Sequence, residues 1–408
     1  MTITQKLTDK KSINRYAVLF MFTYFVSYLT RINFAAIIAE IEKADNISNT
    51  ILGLAVSGSS IFYGAGQLVS GYMGDRIQPK KLIGYGLILT TVTNCLIPLA
   101  PTPYLMIVIW CINGLIQAFM WPPLVRLMGS LFNRDDYSRA CVIVSWGSSM
   151  GTILIYLISP AIIALAGWRY VFLFSATCGV LMSLFWWKLC PLIPSEPAVS
   201  KSEDNGKNKG SVFSIFSPLF CFILLAIALQ GALRDGVTNW TPTYITKTFN
   251  VNAEFAILSS VILPIFSILS FHIASKVYTK KLNNPLSCAG LFFVIGMASS
   301  AVLALFHNAS MPLSVALAAL LCGCMHGVNL MLVCTVPSHY EKYGKISFVS
   351  GLINSFTYIG SAISTSAVAA IAEATGNWQL IIGIWAVIAL LGAVIVIGYA
   401  KKYRNTMM

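Results

Sequence analysis

Twelve apolar runs, each long enough to make a membrane-crossing helix, leave this chain few folds to choose from. A helix crosses the hydrocarbon core with about 20 apolar residues, whereas barrel strands are shorter and alternate in polarity. The runs lie at roughly 15–38, 50–74, 82–100, 104–130, 138–165, 168–190, 218–246, 253–276, 285–306, 312–337, 347–372 and 378–400. Composition agrees: 57% of the 408 residues are hydrophobic and 10% are charged, against roughly 25% charged in soluble domains. The expected fold is an all-α membrane protein with twelve transmembrane helices in two six-helix bundles, and the lipid bilayer is its first partner.

The charge follows this topology. Basic residues gather on alternate loops: the N-terminal stretch (Lys6, Lys10, Lys11, Arg15), Arg76, Lys80 and Lys81, Arg134 and Arg139, Lys188 to Lys209, Lys276 to Lys281, Lys342 and Lys345, and Lys401 to Arg404. The opposite loops carry Lys43, Arg169 and Lys247. Basic loops stay in the cytoplasm, so both termini are expected there. The net charge of +13 is thereby explained without nucleic acid. No short apolar segment with a small-residue cleavage site precedes the first run, so that helix is expected to be retained.

Residues 191–211, PLIPSEPAVSKSEDNGKNKGS, are rich in Ser, Pro, Gly and charge and read as a flexible linker. The expected organisation is a bundle at 1–190, a cytoplasmic linker at 191–216 and a second bundle at 217–408. The halves echo one another. Arg31 lies about 16 residues into the first run and Arg234 about 16 into the seventh. Lys80 of PKKL follows Arg31 by 49 positions (80 − 31), and Lys280 of TKKL follows Arg234 by 46 (280 − 234). A parallel repeat of six helices is the arrangement this suggests.

A charge inside the membrane costs several kcal/mol unless it faces a cavity or a partner. Arg31, Arg126, Arg234 and Asp235 are such charges, with His272 and His326 beside them in the apolar runs. If Arg31 and Arg234 reach one midplane cavity, their repulsion turns to advantage when an anion lies between them and offers oxygen acceptors to both. The competing reading pairs each arginine with a structural carboxylate. Asp235 adjoins Arg234, but neighbouring helix positions diverge by about 100°, so a good pair is not expected there. Asp235 stands open between proton coupling and charge balance. Arg126 follows Trp121-Pro122-Pro123, which should kink its helix. With Asp75 and Arg76 it is expected to serve a gate or a structural contact. Tyr28, Tyr63, Gln67, Trp146, Asn239, Tyr244, His326, Asn329, Asn354 and Tyr358 are further candidates for the cavity wall.

The remaining features point away from chemistry. Cys322, Cys324 and His326 lack zinc-site spacing and suit helix packing, so no metal and no cofactor is expected. No Ser-His-Asp order, acidic metal cluster or phosphotransfer loop supports an enzyme. Glycines in YGAGQLVSGYMG (Gly64 to Gly74) and GSSMG (Gly147, Gly151) are expected to let helices approach closely and slide.

GYMGDRIQPKK (Gly71 to Lys81) resembles the loop signature between the second and third helices of the major facilitator superfamily. YLTRINFA, MWPPLVR, IVSWGSSMG and LRDGVTNWTPTYI resemble its organophosphate:phosphate antiporter family, from the first helix through the last. The resemblance implies that Arg31 and Arg234 grip a phosphate group, that two bundles rock, and that inorganic phosphate is the counter-substrate. Gln67 stands where family members carry a lysine, and Met150 where one carries a histidine. The expected function is therefore a secondary transporter of a small organic anion, an organic phosphate exchanged for phosphate, in the bacterial inner membrane and as a monomer. The alternatives are a membrane sensor of a sugar phosphate and a proton-coupled carrier of a carboxylate or phosphonate.

Overall fold

A computed structural model describes residues 5–47, 49–193, 217–251, 259 and 262–407. Among them are twelve helices long and apolar enough to cross a membrane. They are α1 (Lys10–Ala36), α2 (Ile51–Gly74), α3 (Pro79–Leu99), α4 (Pro103–Leu131), α5 (Arg134–Ala166) and α6 (Arg169–Leu189) in the first half. The second half has α7 (Pro218–Phe249), α8 (Ile262–Leu282), α9 (Pro285–Leu305), α10 (Met311–Ser338), α11 (Ile346–Thr375) and α12 (Trp378–Met407). Eleven of the expected runs agree with these to within a few residues at most edges. The eighth helix runs six residues further than expected, because a π-helical turn at Tyr278–Leu282 extends it. The start expected for that run, and residues 194–216 of the expected linker, lie outside the described residues.

Physical punctuation sets the ends. Asp9 starts α1 by accepting from the Ser12 amide at 2.9 Å, which satisfies an orphan donor of the first turn. Thr102, Ser217 and Asn284 do the same for α4, α7 and α9. The expected kink in α4 is present. The helix breaks at Ala118 to Met120, and Trp121–Leu131 restarts with proline in its first turn, where a missing N–H costs nothing.

The chain divides into two compact units, residues 1–199 with 340–355 and residues 200–339 with 356–408. The start of α11, expected in the second bundle, thus belongs by its contacts to the first unit. Within each unit the helices pair in the same order. In the first, α1 packs on α5, α2 on α4 and α3 on α6. In the second, α8 packs on α10 and α9 on α12, while α7 meets α11 through glycine. A Cβ at Gly360 would overlap the Ala228 carbonyl oxygen. On the other side a Cβ at Gly151 would fall 2.6 Å from the Phe25 carbonyl oxygen, and one at Gly147 2.4 Å from that of Met21. Close backbone contact of this kind is what small residues provide between membrane helices. Large apolar side chains such as Leu165, Leu184, Leu305 and Val394 remain exposed, as lipid-facing surfaces require.

Three helices of the first unit share a buried amide network. Asn33 of α1 donates to Asn94 of α3 at 2.7 Å, and Asn94 donates back to the Thr30 carbonyl at 2.9 Å. Gln117 of α4 donates to the Thr30 hydroxyl at 2.8 Å and accepts from Ser27 at 2.7 Å. Asn113 donates to the Thr30 carbonyl at 3.2 Å and accepts from Thr93 at 2.9 Å. Residues 27, 30 and 33 of α1 are thereby fixed toward α3 and α4, and position 31 is turned about 100° away from position 30. The network fixes the rotation of the helix that carries Arg31. Inter-helix hydrogen bonds in membranes contribute about 0.6 kcal/mol each, up to about 1.7. Asn94→Leu removes two of them and should lower the unfolding temperature in detergent. Thr177→Ala, which removes only a bond to its own helix at Leu173, should lower it much less.

Candidate functional site

In the first unit Arg31 is half-buried, with its guanidinium carbon 3.7 Å from the centre of the Tyr63 ring and 5.4 Å from that of Tyr28. Tyr28 in turn meets Tyr24 edge-on at 5.2 Å, and Tyr24 lies 4.9 Å from Trp121. An aromatic face attracts a guanidinium, so α1 and α2 together give this charge a place within the spans. Tyr28 and Tyr63, two of the cavity-wall candidates, both lie beside Arg31. Trp146 is half-buried on α5. Asn354 is buried on α11, and its segment belongs to the first unit.

Gln67 stands apart. It is fully buried, and both of its amide atoms lack a hydrogen-bond partner among the described residues. Its backbone carbonyl is so close to Gly351 that a Cβ there would fall 2.2 Å away. Gln67 is therefore enclosed, at a place where the backbones of α2 and α11 come together. Met150, the other departure from the family pattern, is half exposed on α5 (47%).

In the second unit Arg234 and Asp235 form an ion pair. Nε donates to one carboxylate oxygen at 2.5 Å and Nη2 to the other at 2.8 Å. This corrects the expectation that adjacent helix positions pair poorly. The divergence applies to Cβ directions, and the long arginine stem folds back across it to meet the carboxylate side-on. The Tyr358 ring lies 5.7 Å from the guanidinium. His326 is half-buried on α10, edge-on to Phe271 at 5.4 Å, and interacts electrostatically with Asp235. Ser361 hydrogen-bonds the same carboxylate. Cys322 lies 3.3 Å from the Thr238 hydroxyl, in a packing role. Asn239 is exposed on α7. Tyr244 does not line a cavity: its hydroxyl is held by Ser314 at 3.0 Å and by the His307 carbonyl. His272 is on an exposed face of α8.

The three residues expected at a gate occupy one corner of the first unit. Asp75, 7% exposed, accepts from the Ser347 and Phe348 amides, both at 2.8 Å. These are first-turn donors of α11, so Asp75 serves as a cap supplied from a distant part of the chain. The positive end of the helix dipole adds to the attraction. Arg126, also buried, donates to the Gly74 carbonyl at 2.7 Å and the Ile77 carbonyl at 3.3 Å, which holds the α2 end that presents Asp75. Arg76 folds back over Tyr72, 3.5 Å from its ring, and donates to the Tyr72 carbonyl at 3.1 Å. Ser347 also presses on Gly74, where a Cβ would overlap its hydroxyl.

Sequence reasoning missed Ser361 and the amide network. Asn33, Asn94, Asn113 and Gln117 each interrupt an apolar run, which is the signal that would have marked them.

Twelve spanning helices in two units, with arginines held on aromatic faces within them, define a polytopic membrane transporter. The chain belongs to the major facilitator superfamily, whose model matches residues 20–365. It is 24% identical over 374 residues to the glycerol-3-phosphate transporter of Bacillus subtilis, covering 86% of this chain and 84% of that protein. It is 23% identical over 391 residues to the membrane sensor protein UhpC of Salmonella typhimurium, covering 91% and 87%. These relatives agree with the organophosphate:phosphate antiporter family that the motifs resemble. The proton:xylose symporter XylE shares the fold, with a TM-score of 0.80 at 13% identity over 96% of this chain and 97% of that one.

Burial pushes the Asp75 carboxyl up from 3.8 to about 6, against the two amide bonds and the charge of Arg126. Between those values the folded state keeps a proton that the unfolded state has lost. The contribution of this group to stability is thus fully present below 3.8 and is lost as pH rises through about 6. Asp75→Asn should flatten that slope in thermal unfolding of the detergent-solubilised protein. Asp75→Ala should lower stability by about 0.5–2 kcal/mol, the usual worth of a helix cap.

Proposed function

We propose that this protein carries a small phosphorylated organic anion across the bacterial inner membrane by alternating access, in exchange for inorganic phosphate. Arg31 and Arg234 grip the anion. The observation that carries the reading is the stacking of Arg31 on Tyr63. Stacking engages the flat face of the guanidinium and directs its N–H edges sideways. Those edges match the oxygens of a phosphate bidentately. Tyr28, Tyr358 and His326 complete the binding surface. Asp75, Arg76 and Arg126 form the gate on the cytoplasmic side, where both termini lie, and the working unit is the monomer. A phosphate ester is favoured over other anions because the Bacillus subtilis relative is a glycerol-3-phosphate transporter.

A second reading is favoured by one observation: the similarity to UhpC, a membrane sensor, runs over 91% of the chain. In that case the same pocket binds a sugar phosphate and signals without carrying it.

Proteoliposomes loaded with inorganic phosphate separate the two. Uptake of labelled glycerol 3-phosphate or hexose phosphate against internal phosphate is the expected outcome. Binding without flux selects the sensor, and absence of binding by phosphate and all its esters removes both. Arg31→Lys and Arg234→Lys keep the charge and lose the fork. Each should weaken anion binding by roughly 10- to 150-fold, the equivalent of about 1.5–3 kcal/mol for a charged hydrogen bond. Tyr63→Leu should weaken it by roughly 2- to 30-fold, since a cation–π contact contributes about 0.5–2 kcal/mol. Unchanged affinity in both arginine variants would remove the clamp.

A further inference from the structure

We propose that Asp235 is a proton-binding site and that each anion bound through Arg234 brings a proton with it. The inference rests on the reading of Arg234 as an anion ligand, and it adds a second cargo. The side-on edge of Arg234, Nε with Nη2, is occupied by both oxygens of Asp235. That edge offers the same two donors a phosphate or carboxylate would take. While Asp235 is ionised, the pair is neutral overall. An incoming anion then has to displace the carboxylate and sit beside its negative charge. A proton on Asp235 removes that charge and leaves the full charge of Arg234 facing the anion.

The surroundings of Asp235 sharpen the assignment. On its own helix the neighbour is Arg234. From α10 come His326 and Cys322, which interact electrostatically with this carboxylate. From α11 come the Ser361 hydroxyl, which bonds the carboxylate, and Tyr358 beside the guanidinium. From α12 the indole of Trp385 approaches α7 at Gly236, and it does not titrate. Arg234 is therefore the fixed cation of the cluster, and a bound anion and an ionised Asp235 would share it. His326 is the other base within the cluster, which makes it the rival site for the proton.

The step balances. A proton from water adds to a lone pair of the Asp235 carboxylate. Arg234 keeps all its protons and turns two of its donors from Asp235 to the oxygens of the anion. On release the proton leaves, and the pair closes again. One proton accompanies each anion in either direction, so net uptake responds to a pH gradient, while exchange of anion for phosphate moves one proton each way.

The test is calorimetric titration of the purified full-length protein in detergent with inorganic phosphate, from pH 6 to 9, in buffers that differ in ionisation enthalpy. Wild type, Asp235→Asn and His326→Gln are compared, so the titration of phosphate itself is common to all three. The expected result is about one more proton taken up per phosphate by wild type than by Asp235→Asn. Affinity of wild type should fall about tenfold more per pH unit at the alkaline end, and Asp235→Asn should bind more tightly than wild type at pH 9. His326→Gln should keep the wild-type slope. Equal proton uptake by wild type and Asp235→Asn overturns the proposal, as does weaker binding by Asp235→Asn at every pH with its slope unchanged. Loss of the slope in His326→Gln alone moves the proton to the imidazole and overturns it too. If Asp235→Asn does not elute as a folded species, Asp235→Ser takes its place. Failure of wild type to bind phosphate or any phosphate ester would instead remove the anion reading of Arg234 itself.

Discussion

A guanidinium placed among apolar helices is too costly to leave without company, because hydrocarbon offers it neither water nor counter-ion. Much of the architecture around Arg31 and Arg234 follows from that cost. Arg31 rests on Tyr63 and beside Tyr28, and the rotation of α1 is held by the hydrogen bonds of Ser27, Thr30 and Asn33 to α3 and α4. Arg234 is met by a carboxylate. The two arginines occupy comparable places in their halves, yet one is met by π-electrons and the other by a full charge. The surroundings of the two charges are therefore chemically different: a tyrosine ring within van der Waals reach of Arg31, and a carboxylate held side-on by Arg234.

The helix count and most edges were legible because they depend on apolar length alone, a property local to the sequence. Glycine in GSSMG and YGAGQLVSGYMG was also legible. A missing side chain has few uses in a membrane helix other than contact, and Gly147, Gly151 and Gly74 are all at close approaches. Tyr28 and Tyr63 could be marked from residue type and depth as candidates for a cavity wall, but their place beside Arg31 could not. What escaped depends on rotation and reach. Gln67 lies at a polar interruption like the others, but it is fully buried where the backbones of α2 and α11 meet, and nothing local encodes that approach. Cβ geometry alone does not foretell the Arg234–Asp235 pair, because it ignores the length of the arginine stem. Asn33, Asn94 and Asn113 were visible as polar residues in apolar runs. Their meaning lay in partners tens of residues away.

The pairing order of helices repeats between the halves, and the repeat extends to chemistry as well as geometry. Glycines of α5 meet α1, and Gly360 of α11 meets α7, in both cases at the helix that bears the arginine. Close backbone contact brings a helix near its neighbour without side chains interlocking. Each arginine-bearing helix is thus seated on a smooth track in its own unit.

The Asp75 cap joins residues 272 positions apart. Closing so long a loop costs little more than closing a shorter one, because the entropy grows only with the logarithm of length. Its burden is one of timing. Chains are made from the N-terminus, and early domains fold first. The amides of Ser347 and Phe348 are among the last parts of the protein to be made, and the carboxylate that receives them is among the first. From the synthesis of α2 until α11 begins, the Asp75 carboxylate lacks the two amides that it accepts from in the finished fold. The order of residues along the chain becomes an order of assembly, in which a surface laid down early decides where a late helix begins.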